Sequence, residues 1–429
     1  MIARPPSRPD AKSFVLGFSR VHVGKSLLWA GEDSLILYVM IRFLALSPAL
    51  AGAIFLASSL WNALCDGAIG TLMHRRSRPA RWLPAVTWGA ILAASLGFAM
   101  LPLLPAHAPW TVAGVLLLIR TGYALVDVPH NGLTRSLARD GQHLRAAQIR
   151  AGGSAGAALI VGAACAALLW SSSPGRTTAA LLVGSIAGVA LLLMTSLPRL
   201  LATEPPEREA SGAKQSESTM STALWHYCGA TMLGLAGLGA MGKALLHLRG
   251  PGTGVIETGI MLVIVARLAS IGIWSSIARR MGSRLALAFA YLVCAIAALA
   301  FPLAAQTGGM ALLMALGLFG LAGGGVTMVG WAVLSEVLDT GVSTERGTAY
   351  TAAFGLFTMS MKIALGLSGA LVGGWLALSG TSINVPPEEF QFLCRSVACM
   401  TLAAAAWIAH PALGHPRHRI RRRSLPKLP

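Results

Sequence analysis

The sequence predicts an all-α membrane protein in which twelve transmembrane helices pack as two six-helix bundles. Three observations carry this expectation. Of 429 residues, 55% are hydrophobic and only 12% charged, too few polar groups to cover a soluble protein of this size. The hydrophobic residues fall in runs of about 20, the length that crosses a bilayer as a helix. The one long polar stretch inside the chain, "PRLLATEPPEREASGAKQSEST", lies near its middle and is rich in Pro, Glu and Ser, with little to bury.

Taken in order, the apolar runs place spanning helices at about 26–44, 49–73, 83–104, 110–133, 151–170, 178–197, 221–246, 255–277, 285–303, 309–334, 350–378 and 391–410. The organisation that follows is a tail over about 1–25, a first bundle over about 26–197, a linker over about 198–220, a second bundle over about 221–410 and a basic tail over about 411–429. An even number of crossings puts both termini on one side. The net charge of +18 then serves topology rather than nucleic acid, because the basic residues sit in short clusters between apolar runs. "HRRSRPARW", "TRSLARDGQHLR", "ARRMGSR" and the tail "GHPRHRIRRRSLPKLP" share one side with the N-terminus. The alternate loops, such as "LSPA", "PAHAP" and "AAQTG", hold almost no Lys or Arg. The positive-inside rule therefore makes both termini cytoplasmic in a multi-pass protein of the cell membrane, in a bacterium the inner membrane. The basic tail is a topology and anionic-lipid signal.

The residues exclude several classes. Cys65, Cys165, Cys228, Cys294, Cys394 and Cys399 show no metal-ligand spacing, so neither a zinc site nor a disulfide framework is expected. "MIARPPSRPDAKS" has no apolar core before a cleavage site, and no removable signal peptide is expected. Nucleophile triads and phosphate loops are missing, and "GLAGGGV" at 320–326 lacks the flanking strand of a dinucleotide site; such runs are usually helix contacts. We expect no enzyme and no cofactor.

Function should show in the polar groups held in hydrocarbon, where a charge costs about 2.5 to 3.5 kcal/mol on insertion scales. Asp127 lies near the inner end of the fourth run, with Tyr123 one turn earlier on the same face and Pro129 freeing a backbone carbonyl nearby. The alternative for Asp127 is a carboxylate reaching the interface. In "SSLWNALCDGAIG", Asn62 and Asp66 are four apart and share a helical face, an oxygen set that a hard cation or a proton could use. Lys362, amid the apolar "LFTMSMKIALGLSGALVGGW", wants a carboxylate, with Asp66 and Asp127 as candidates and a headgroup contact as the alternative. Glu32 and Asp33 are adjacent and point about 100° apart, so at least one faces inward. Each is either functional or paired with Arg120, Lys243 or Arg267. His226 also lies in a spanning segment, and structural pairing explains these groups as well as solute contact does.

The series "GKSLLWAGEDSLILYV", "LWNALCDGAIG", "YALVDVP", "LARDGQHLRAAQIR", "VLDTGVSTERGTAY" and "MKIALG", in that order, resembles the glycoside–pentoside–hexuronide:cation symporters, the melibiose-permease-like group of the major facilitator superfamily. That resemblance implies two similar six-helix halves and alternating access. It implies that Asp66 and Asp127 are cation-site carboxylates, that Lys362 stands beside that site, and that Arg150 contributes to sugar binding. Arg78 and Pro79 resemble the Arg-Pro of the loop after the second helix. Departures are equally informative. Asn62 stands where sodium-coupled members have a further Asp, and Ala124 where they have a hydroxyl, so H+ is expected as coupling ion over Na+. Ser26 and Asn131 stand where melibiose-type members place a sugar-binding acid and a stacking Trp. Gly67 replaces the usual Pro, and His74 stands near a usual acidic position.

The function expected is therefore cation-coupled, proton-driven secondary transport of a small polar solute, sugar-like or divergent, by a monomer. The cation site would use Asp66, Asp127, Asn62 and Lys362, and the solute site Tyr123, Arg150, Ser26, Asn131, Glu32 and Asp33. One alternative keeps the fold and moves an amphipathic cargo, a lysolipid or drug-like molecule. Another is a non-transporting membrane receptor, for which the linker and tails are short.

Overall fold

A computed structural model of the chain describes residues 11–74, 83–137, 143–170, 175–203, 222–248, 254–341, 347–380 and 390–410. The first half consists of α1 (Ala11–Arg42), α2 (Pro48–His74), α3 (Leu83–Met100), α4 (Pro109–Gly132), the short α5 (Thr134–Leu137), α6 (His143–Trp170), α7 (Arg176–Met194) and the short α8 (Leu197–Thr203). The second half consists of α9 (Thr222–Ala244), α10 (Val255–Met281), α11 (Ser283–Thr307), α12 (Gly309–Gly341), α13 (Gly347–Leu378) and α14 (Gln391–Ala409). Eleven of these helices are long and apolar enough to cross a membrane. The remaining long one, α1, carries Lys25, Glu32 and Asp33, and the bundle itself supplies their partners.

Two boundaries differ from the sequence expectation. Helix α1 begins at Ala11, inside the stretch read as a tail, and α6 begins at His143 rather than near 151. Both extensions hold charged or polar residues that a search for apolar runs passes over, yet a helix needs only that its polar side chains find partners or water. The linker region likewise starts with the helical turns of α8. Residues 204–221, the tail beyond 410, and Arg78 with Pro79 lie outside the described residues.

The halves repeat one packing pattern. In the first, α1 packs on α6 and α7, α3 on α4 and α7, and α2 on α4; in the second, α9 packs on α13 and α14, α11 on α12 and α14, and α10 on α12. The halves meet along two seams, α2 with α13 and α6 with α10, which this repeat makes equivalent. At the neutral end of the molecule α1 and α3 finish and α2 and α4 begin; the basic end is the opposite one.

In lipid, helices associate by close packing and by polar contacts, and small residues permit both. A Cβ on Gly373 would stand 2.6 Å from the Pro48 carbonyl oxygen and 2.9 Å from Gly52 Cα, so α2 and α13 touch backbone to backbone at the neutral end. The 320–326 run serves the same purpose: Gly320 lies against the Val263 backbone, Gly324 against Ser270 and Gly325 against the Trp274 indole. Nearer the basic end, α2 leaves its partners. Among the described residues nothing lies within 4 Å of a Cβ on Gly67 or Gly70, and an open cleft is lined by Gly67, Ala68, Thr71 and Leu72.

Candidate functional site

Polar stripes on facing helices build the centre of the first half. On α1, His22, Lys25, Ser26, Trp29 and Asp33 follow at spacings of three and four, which place them on one face. On α4, Tyr123, Asp127, His130 and Asn131 do the same, and the helix runs through Pro129 to Gly132. The two stripes interlock. Lys25 forms an ion pair with Asp127, and its Nζ also donates to Asn131 Oδ1 at 2.7 Å. One turn toward the basic end, the His22 and His130 rings stack 5.7 Å apart at 15°. Their Nε2 atoms donate to the Arg150 and Phe18 carbonyls, and both Nδ1 atoms are buried with no partner among the described residues.

The second half reaches this cluster through α13. Lys362, 1% exposed, donates to Asp66 Oδ1 at 2.5 Å and to Asn62 Oδ1 at 2.9 Å on α2. Its Nζ lies 3.7 Å from Asp127 Oδ2 and 5.2 Å from the Tyr123 ring centroid. Asp127 therefore sits between two ammonium groups, one from each half, and Asp66 is closed off at 0% exposure with Oδ2 unpartnered. Arg150, from α6, completes the cluster. It donates to Asn131 Oδ1 at 3.1 Å and to Thr134 Oγ1 at 2.7 Å, and its guanidinium covers the Trp331 ring of α12 at 4.6 Å. Ser26 faces Ser154 of α6 at 3.2 Å.

A second set of charges lies toward the neutral end. Glu32 and Arg120 pair at 2.5 Å, both 0% exposed. Asp33 crosses between the halves to pair with Lys243 of α9, which also donates to Ser368 of α13 at 2.9 Å. Phe55 of α2 lies under both cations, 5.4 Å from Arg120 and 5.2 Å from Lys243. Tyr38 meets His247 nearby, with ring centroids 5.7 Å apart.

The structure thus brings Asn62, Asp66, Tyr123, Asp127 and Lys362 together, with Arg150, Asn131 and Ser26 along the same stripe. Glu32 is fully buried and paired with Arg120. Asp33 is the more accessible member of its pair, its side chain 31% exposed against 2% for Lys243. His226 lies apart, accepting from the Trp407 indole at 3.2 Å. Lys25 and His22 are additions. Their signal was the spacing of polar residues along α1, broken where the apolar run was taken to begin. Among the described residues no group of three or more His, Cys, Asp or Glu could hold a metal ion.

The fold has counterparts among solved proteins. A D-xylose-proton symporter superposes with a TM-score of 0.66 at 15% identity, covering 92% of this chain and 97% of that one. The nucleoside transporter NupG gives 0.62 at 14% identity, with 92% and 98% covered. A bacterial homologue of the human drug peptide transporters PepT1 and PepT2 gives 0.63 at 13% identity, with 93% and 98% covered. Residues 253–409 match the family described as MFS/sugar transport protein. The match falls in the second half of the chain, which is similar to that family there. No curated protein matches the chain in sequence. The structural likenesses, at these identities, speak to the fold alone.

Proposed function

We propose that this chain is a cation-coupled secondary transporter, driven by protons rather than Na+, that moves a small polar solute by alternating access. The observation that carries the proposal is Lys362, which joins Asp66 and Asn62 on α2 to Asp127 on α4 from the opposite half. Protonating Asp66 turns an ion pair into an ammonium facing a neutral acid, so the seam between α2 and α13 loses its charged tie while Lys362 keeps Asp127. The halves can then separate at that seam. Solute binding beside Arg150, Asn131 and Ser26 acts on the same network, because Asn131 accepts from both Lys25 and Arg150. Occupied and empty carriers rock, and the half-occupied carrier does not.

Sodium fits less well. A hard cation needs several oxygen ligands, and both carboxylates here already hold ammonium groups. Admitting Na+ would strand a lysine in a dry site, at a cost of several kcal/mol. Both termini are assigned to the cytoplasm and the basic end faces it, on the strength of the basic loops. A second proposal, an amphipathic cargo, draws support from the open cleft at Gly67, Ala68, Thr71 and Leu72, and fluorescent lysolipid transport tests it.

The test is uptake into proteoliposomes under an imposed proton or sodium gradient, over a panel of small polar solutes. Accumulation is expected with the proton gradient and absent in Asp66→Asn. Accumulation that follows sodium and ignores pH, or that persists in Asp66→Asn, would overturn the assignment.

A further inference from the structure

The charges in these clusters do not balance. Among the described residues of these clusters, six cations, Lys25, Arg120, Arg150, Lys243, Arg267 and Lys362, stand against four carboxylates, Glu32, Asp33, Asp66 and Asp127. Each carboxylate has a close cation: Glu32 has Arg120, Asp33 has Lys243, Asp66 has Lys362, and Asp127 has Lys25 with Lys362 beside it. Arg150 and Arg267 are left, and neither forms an ion pair among the described residues. Among the described residues both bond only to neutral oxygens. Arg150 uses Asn131 and Thr134, and Arg267 uses the Thr327 hydroxyl.

The two arginines come from different halves, on α6 and α10, the helices that form the second seam. They also converge on α12. Arg267 bonds Thr327, and Arg150 lies over Trp331, four residues later and so on the same helical face, about 6 Å further along the axis. Arg150 is 6% exposed, and its Nε is buried with no hydrogen-bond partner among the described residues. Arg267 is half-buried at mid-helix, and Asp33, the carboxylate acting on it from α1, is engaged by Lys243. A guanidinium with restricted access to water and no carboxylate partner is costly, and two of them along one face of α12 make a pair of charged donors suited to an anion.

We infer that Arg150 and Arg267 are the two jaws of an oxyanion subsite, and that the transported solute is a small organic anion bearing a carboxylate or phosphate. The inference rests on the transport assignment above and narrows it to a substrate class. Guanidinium groups suit such ligands because their N–H donors match two oxygens at once. With one arginine on each half, the anion bonds the α6–α10 seam as Lys362 bonds the α2–α13 seam. A neutral solute offers neither arginine a counter-charge.

The experiment measures binding to the purified full-length protein in nanodiscs by calorimetry, with methyl β-D-glucoside, D-glucuronate and D-glucose 6-phosphate as neutral, carboxylate and phosphate probes. At least one anionic probe should bind and the glucoside should not; which anion binds better tells carboxylate from phosphate. Arg267→Gln should weaken the anion roughly tenfold or more, and Arg267→Lys less, as expected for a charge-assisted bond. Arg279→Gln, at the exposed end of α10, is the control and should change nothing. Glucoside binding equal to that of the anions, unaltered anion binding in Arg267→Gln, or no binding of any probe by monodisperse protein would each overturn the inference. Proton-driven uptake of the glucoside would do so while leaving the transport assignment standing. Because Arg267→Gln could lose its fold, the midpoint of thermal unfolding is measured alongside, and Arg267→Lys serves when the Gln variant is unstable.

Discussion

Lys362→Met separates the charge contribution at the α2–α13 seam from packing. In the wild type the ammonium satisfies Asp66 at 2.5 Å and Asn62 at 2.9 Å, with Asp66 fully buried. Methionine keeps much of the volume and removes the charge. Asp127 still holds Lys25, but Asp66 is left as an unpaired carboxylate in a dry site, and breaking a buried pair this way costs about 3–5 kcal/mol. Replacing both partners, in Asp66→Asn with Lys362→Met, leaves no orphaned charge and should return stability to within about 1–2 kcal/mol of the wild type. The double variant should thus be more stable than Lys362→Met by about 1–4 kcal/mol, and measuring Asp66→Asn alone completes the cycle that gives the pairwise coupling. The assay is unfolding of the purified protein in mixed micelles, at neutral and at acid pH. The deficit of Lys362→Met should shrink on acidification, because a protonated Asp66 no longer requires a cation. A single variant as stable as the wild type, or a double variant no better than Lys362→Met, would refute the reasoning.

Four further outcomes are expected. Asp127→Asn should abolish gradient-driven accumulation while leaving folded protein in the membrane, because Lys25 and Lys362 lose the carboxylate they share; normal accumulation would count against it. Gly373→Val should cut transport at least roughly tenfold with near-normal expression, since its side chain would enter the Pro48 carbonyl 2.6 Å from the Cβ position and hold the neutral end apart. Asp33→Asn should weaken the tie to Lys243 and raise thiol labelling of a Ser368→Cys variant by a membrane-impermeant reagent; unchanged labelling would show that this pair does not hold the neutral end shut. Arg120→Met should destabilise by about 3–5 kcal/mol in the same mixed-micelle assay, and adding Glu32→Gln should recover most of that loss.

Much of this was legible in the sequence, for a physical reason. Hydrocarbon makes charge expensive, so Asp66, Asp127 and Lys362 were conspicuous in apolar runs before any contact was known, and opposite signs named each other as partners. The same cost made Arg120 and Lys243 visible as candidates for Glu32 and Asp33. Lys25 escaped because it stands just outside the apolar run of α1, although it is itself buried at 4% exposure. A polar stripe of His22, Lys25, Ser26, Trp29 and Asp33 was present in the spacing, but hydropathy averages over a helix face and conceals it. The convergence of Arg150 and Arg267 on Thr327 and Trp331 could not be read from the chain, since it depends on how α6, α10 and α12 meet across the two halves. Glu32 illustrates the reverse limit. Adjacent carboxylates look equally available in sequence, and only packing seals one and leaves the other half open.

The central claim is that protonation of Asp66 unties Lys362 and lets the α2–α13 seam open. Spin labels at Leu50→Cys on α2 and Leu378→Cys on α13, both exposed near the neutral end, report that seam by electron–electron distance measurement without any solute. Acidification should shift the wild-type distances to longer values, and Asp66→Asn should show the acid distribution at every pH. Distances that ignore pH, or an Asp66→Asn variant that still responds as the wild type does, would contradict the account.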